Sequence, residues 1–151
     1  MSYDSRPDTY AHIATVREYM LRVIRYLMVR AHDHDLSKLQ EPELSVFNEF
    51  TPKLKTSTYG SAEYNGFRVA MGEALDHHYK VNDHHPEHFK YGIADMDLLQ
   101  VTEMLCDWKA ATERHDDGDL RKSIEINAER FGYGDEMKGL LMNTAENLGW
   151  V

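Results

Sequence analysis

Nine histidines and a single cysteine stand in a sequence of 151 residues. Five of the histidines, His77, His78, His84, His85 and His88, fall within twelve residues, and His32 and His34 alternate with Asp33 and Asp35. Imidazole and carboxylate together are the usual ligands of divalent metals: manganese, iron, cobalt, zinc and magnesium. One cysteine excludes an all-thiolate zinc site and an intramolecular disulfide framework. Any metal here is therefore held by nitrogen and oxygen, which points to hydrolytic or dioxygen chemistry. A purification tag would be terminal and uninterrupted, and this cluster is neither.

Helical periodicity must position these residues. From Pro7 to Ala31 the apolar residues Ile13, Val16, Met20, Val23, Ile24 and Leu27 recur three and four apart, which predicts an amphipathic helix with a buried stripe. Ser37 to Phe50 reads as helix in two pieces, with Pro42 in a first turn, and 51–61 reads as a polar loop. A third helix is expected from Ala62 to Lys80, with Phe67, Met71, Ala74 and His78 on one stripe. A loop over 81–93 leads to a fourth helix, Asp95 to Glu113, carrying Met96, Leu99, Met104, Leu105 and Trp108. Asp95 and Asp97 suit capping or dipole-stabilising roles at its start. The turn Asp116-Asp117-Gly118-Asp119 precedes a helix from Leu120 to Phe131, and a last helix runs from Asp135 to Leu148. No segment alternates as a strand does. The expected fold is all-α, one domain over 1–151, a bundle of five to seven helices.

Charge narrows the function. Acidic residues outnumber basic ones 26 to 17, a formal net charge of −9, which opposes binding to duplex nucleic acid. No run approaches the roughly 18 apolar residues that span a membrane. The first residues show neither a basic n-region nor an apolar h-region, so no signal peptide is expected and a cytoplasmic, reduced setting fits. The tyrosine and methionine content is compatible with a homodimer.

Within this frame the candidate ligands are His12, near the stripe of the first helix, the pair His34-Asp35, then His78, His84, His85 and Asp107. Asp107 lies between Cys106 and Trp108, where a buried carboxylate needs a partner. His78 continues an apolar stripe and His77 does not. His85 precedes Pro86-Glu87, which can start a turn and fix the imidazole. Glu103, one turn before Asp107, suits a ligand, a general base or an orienting group. Lys38 is the leading phosphate contact, near a helix start. Asn82, which could equally hold a ligand histidine, and Arg130 are further substrate contacts, and Lys109 is a weaker one. Plainer readings stand beside these: Asp35 as a helix N-cap, His12 as a core-edge histidine, Cys106 as a small buried apolar residue. His32, His77, His88 and His115 read as supporting or surface residues.

The order His12, His34-Asp35, Asp107 resembles the HD-domain superfamily of metal-dependent phosphohydrolases, and His34-Asp35-Leu36-Ser37-Lys38 is similar to its central motif. His78 and His84-His85 resemble the extra histidines of its two-metal members. The chain also resembles, over nearly its whole length, a small uncharacterised family common in bacteriophages. That likeness is carried by the same pentapeptide with Asn82, His84-His85-Pro86-Glu87, Glu103-Met104, Asp107-Trp108-Lys109-Ala110 and Asn127 to Phe131. The HD resemblance implies one or two divalent ions activating water against a phosphoester, with a nucleotide as substrate. Asp35, Lys38 and Glu103 would be catalytic. Two alternatives are a di-iron oxygenase of the same fold and a non-catalytic nucleotide or protein binder with a structural metal.

Overall fold

Helices make up the ordered elements throughout. The computed structural model describes residues 3–58, 60–114 and 118–151, so His115 and the Asp116-Asp117 part of the expected turn lie outside the described residues. Among those described there are seven α-helices, three short 3₁₀ turns and no strand. The all-α expectation of five to seven helices holds. Among the described residues no helix is long and apolar enough to cross a membrane. The chain divides into two units, Met1–His34 and Asp35–Val151.

The first unit is a single helix, α1 (Arg6–Asp33), with Pro7 in its first turn, where the missing N–H costs no hydrogen bond. It has no buried residue. Ile13, Val16, Met20, Val23 and Ile24, expected as a buried stripe, are exposed, and so is His12, expected on the core side. The periodicity correctly marks a helix with an apolar face. Burial of that face does not follow, because α1 is the one element of its unit.

The second unit holds the remaining helices. The 3₁₀ turn Leu36–Leu39 leads into α2 (Glu43–Thr56). α2 continues into the stretch expected as a loop, as far as Thr56, and includes Pro52. Proline removes one backbone bond there, but Phe47, Phe50 and Leu54 keep a packed face at helical spacing. The single helix expected from Ala62 to Lys80 is two, α3 (Ala62–Ala70) and α4 (Gly72–Val81). They part at Gly72, whose φ of +47° lies in the left-handed region that interrupts a right-handed helix. Met71, Ala74 and His78 are buried, as the stripe predicts.

After the 3₁₀ turns Pro86–His88 and Gly92–Asp95 come α5 (Leu98–Thr112), α6 (Leu120–Phe131) and α7 (Asp135–Asn147). Asp97 opens α5 with a capping box closed by Gln100, and Asp119 caps α6. The apolar core sits between these three helices, where Val101, Met104, Leu105 and Trp108 meet Leu120, Ile124, Leu141 and Ala145. Trp108 stacks on Phe131 with 6.3 Å between ring centres. Cys106, expected inside, is exposed, because the buried face of α5 is taken by 101, 104, 105 and 108.

Candidate metal centre

The site begins at a backbone irregularity. Asp35 has φ +59°, ψ +14° and is the one non-glycine residue with positive φ among those described. A left-handed conformation is uncommon for a non-glycine residue, and such outliers gather at functional sites. Asp35 stands at the N-cap of the turn Leu36–Leu39 but makes no side-chain cap bond. Its carboxylate turns elsewhere: one oxygen takes the ammonium of Lys38, one turn on, and the other faces two histidines. His78 Nε2 lies 3.5 Å from Asp35 Oδ1 and His84 Nε2 lies 3.6 Å from it.

Three imidazoles converge on this carboxylate. His78 comes from the last turn of α4, and His84 and His85 from the bend that follows. His85 fixes the start of the turn Pro86–His88, as the proline after it predicts. His78 and His84 are each 2% exposed. Their ring centres, and that of His85, lie 4.1 to 6.3 Å apart. One ligand atom from each of Asp35, His78, His84 and His85 falls within 4.8 Å of all the others. Asp107 brings a carboxylate oxygen within 4.8 Å of one on Asp35.

The far side of two of the rings meets a carboxylate. Glu43, the first residue of α2 and 0% exposed, accepts from His78 Nδ1 at 2.9 Å through one oxygen and contacts His77 Nδ1 at 2.8 Å through the other. Ser37 Oγ also donates to Glu43, at 3.0 Å. Asn82 donates to Ser37 Oγ at 2.8 Å and to the His78 carbonyl at 2.9 Å. Glu103 Oε1 lies 3.1 Å from His84 Nδ1. A neutral imidazole has one N–H and one lone pair. With the His78 proton on Nδ1, its Nε2 is an acceptor, so His85 Nε2 is the donor in the 2.8 Å bond between them.

Electrostatics favours neutral His78 and His85 rings and an added cation. Burial, then the neighbouring His84 and His78, push the His85 imidazole down to about 2. Burial, then Lys38, push His78 below the ordinary histidine value. Asp35, Glu43, Glu103 and Asp107 set four carboxylates against the one ammonium of Lys38. With the imidazoles counted as neutral, the formal charge is −3. The donor set also fits a metal of the zinc, iron, cobalt or manganese type. Bonds of about 2.0–2.1 Å place tetrahedral ligand atoms about 3.3 Å apart, close to the 3.5 and 3.6 Å measured around Asp35 Oδ1.

Of the expected site residues, the structure brings together Asp35, His78, His84 and His85, with Glu103 on His84, Asp107 beside Asp35 and Lys38 on the second Asp35 oxygen. Asn82 braces the site, donating to Ser37 Oγ and to the backbone carbonyl of His78. Arg130 is ion-paired to Glu87, which Arg68 also approaches. His12 and His34 belong to the first unit, His12 on the exposed surface of α1 and His34 at its C-terminal cap. His32 and His88 are exposed. His77 has a partner in Glu43. Sequence reasoning missed Glu43, whose histidine partners lie 34 and 35 residues away. Its one signal is an acidic residue at the start of a helix, which the dipole alone would explain.

Comparison with curated proteins and with solved structures finds no match. The sequence matches one family over residues 1–148, and the chain belongs to it: DUF5662, a family of unknown function.

Proposed function

We propose that the chain is a metal-dependent phosphohydrolase of HD type, acting on a nucleotide or a related small phosphoester. The observation that carries this reading is the convergence of Asp35, His78, His84 and His85 within 4.8 Å. Supporting it, Asp35 and Asp107, the two carboxylates of the HD-type pattern, approach each other. A divalent cation held here supplies a water of lowered pKa and polarises a phosphoryl oxygen.

The chain's own groups divide the remaining work. Asp35 Oδ1, His78 Nε2, His84 Nε2 and one ring nitrogen of His85 would be the holding ligands. Glu103 keeps the His84 ring in place through Nδ1. Lys38 sits on Asp35 Oδ2 with its ammonium 5.0 Å from the Phe47 ring centre. That position leaves a positive charge beside the site to offset charge building on a transferring phosphoryl group. Burial holds the His78 and His85 imidazoles neutral, so these two ligate without first losing a proton and binding is favoured at neutral pH.

The test is metal analysis of the untagged protein with a phosphate-release screen over nucleoside mono- and triphosphates and cyclic nucleotides, with manganese, cobalt or magnesium. Metal-dependent release that Asp35→Asn abolishes is the expected result. Metal binding without release from any of them overturns the hydrolase reading and favours a binder with a structural metal. Oxygen consumption by the iron-loaded protein favours the oxygenase.

A further inference from the structure

We infer that Glu43 is a positioning residue of the metal centre, acting through His78 and selecting it over His77 as the ligand. The inference rests on the metal reading above. Glu43 is 0% exposed, a place where an unpaired carboxylate is costly. Every partner it has across the fold is a donor: His77, His78 and Ser37. Its position at the first residue of α2 adds the helix dipole to their support.

Filling this space does not require a carboxylate, whose desolvation is costly. What an apolar residue cannot do is hold a proton on His78 Nδ1. Free imidazole prefers neither the orientation nor the tautomer that points a lone pair at Asp35. Accepting from Nδ1 sets both at once, and an anionic acceptor makes Nε2 a stronger donor to a cation. The two neighbours in sequence are thereby separated in role. His77 meets the other Glu43 oxygen with its side chain 40% exposed, whereas the His78 side chain is 2% exposed and aims Nε2 at the cluster. The chain Asn82, Ser37, Glu43, His78 is a continuous run of hydrogen bonds that fixes the carboxylate in turn.

Two measurements test this. Imidazole nitrogen–proton correlation spectra of the metal-free wild-type protein read the tautomer of each histidine. The expected result is the Nδ1–H form for His78, and the Nε2–H form overturns the inference whether or not metal binds. Zinc affinity is then compared in wild type, Glu43→Gln and His77→Ala, each with its metal-free melting temperature. Glu43→Gln is expected to weaken zinc binding about 10–100-fold, and His77→Ala to leave it within about twofold. Affinity unchanged in Glu43→Gln, or lost in His77→Ala, overturns the inference. Absence of zinc binding by the wild type instead overturns the metal reading itself, which keeps the two failures distinct.

Discussion

Two interiors lie within the second unit, and they are built from opposite materials. On α5, α6 and α7 the largest fully buried side chains are Met104, Ile124 and Leu141, with Asn127 as the polar exception. Around α2, α4 and the bend after α4 they are Glu43, His78 and His84. Burial of apolar area stabilises the first region by about 25 cal/mol per Å². Burial of carboxylates and imidazoles offers no comparable gain, and its desolvation is offset only by partners. The first region is what a fold needs. The second makes sense as a site, retained at some expense of stability.

That difference predicts variants that separate affinity from stability. The largest effect is expected at His84→Ala. In wild type, zinc at a thousandfold excess over its Kd stabilises the fold by about 4 kcal/mol. Thermal melts of His84→Ala with and without zinc should nearly coincide. Next, Leu141→Ala and Met104→Ala should each cost about 2–5 kcal/mol by denaturant titration while keeping the full zinc-induced shift. If a core variant loses the shift, or His84→Ala keeps it, the division fails.

A pH titration sharpens the same contrast. Folding depresses the His85 pKa from 6.5 to about 2 and lowers that of His78. The unfolded chain therefore takes up protons below pH 6.5 that the fold refuses. The stability from these groups is fully present above 6.5 and is lost as pH falls from there toward 2. Urea midpoints of the metal-free protein should decline over that window, less steeply in His85→Gln and with unchanged slope in Leu141→Ala. The smallest effect lies outside both regions: Asp97→Ala removes the α5 capping box and should cost about 1 kcal/mol, with zinc affinity unaltered.

Much of this was legible from residue types and spacing. Asp119 and Asp97 marked helix starts because capping is local chemistry. The stripe through Met71, Ala74 and His78 was readable because burial follows the 3.6-residue period. His84, His85 and Asp35 stood out because imidazole beside carboxylate is unusual. What stayed hidden depends on contacts across the chain. Gly72 could be seen, but not that its backbone would turn left-handed and split a helix. The same holds for Glu43, an ordinary first-turn acid until α4 packs against α2. For α1 the periodicity predicted an apolar face and was silent on what meets it.

The most direct test of the central claim, that Asp35, His78, His84 and His85 hold one divalent cation, is a cobalt(II) titration followed by visible absorption. A four-coordinate nitrogen and oxygen site predicts intense d–d bands that grow to a first equivalent, then stop, and vanish in His84→Ala. Absence of saturable binding, or bands that survive the loss of His84, would contradict the account.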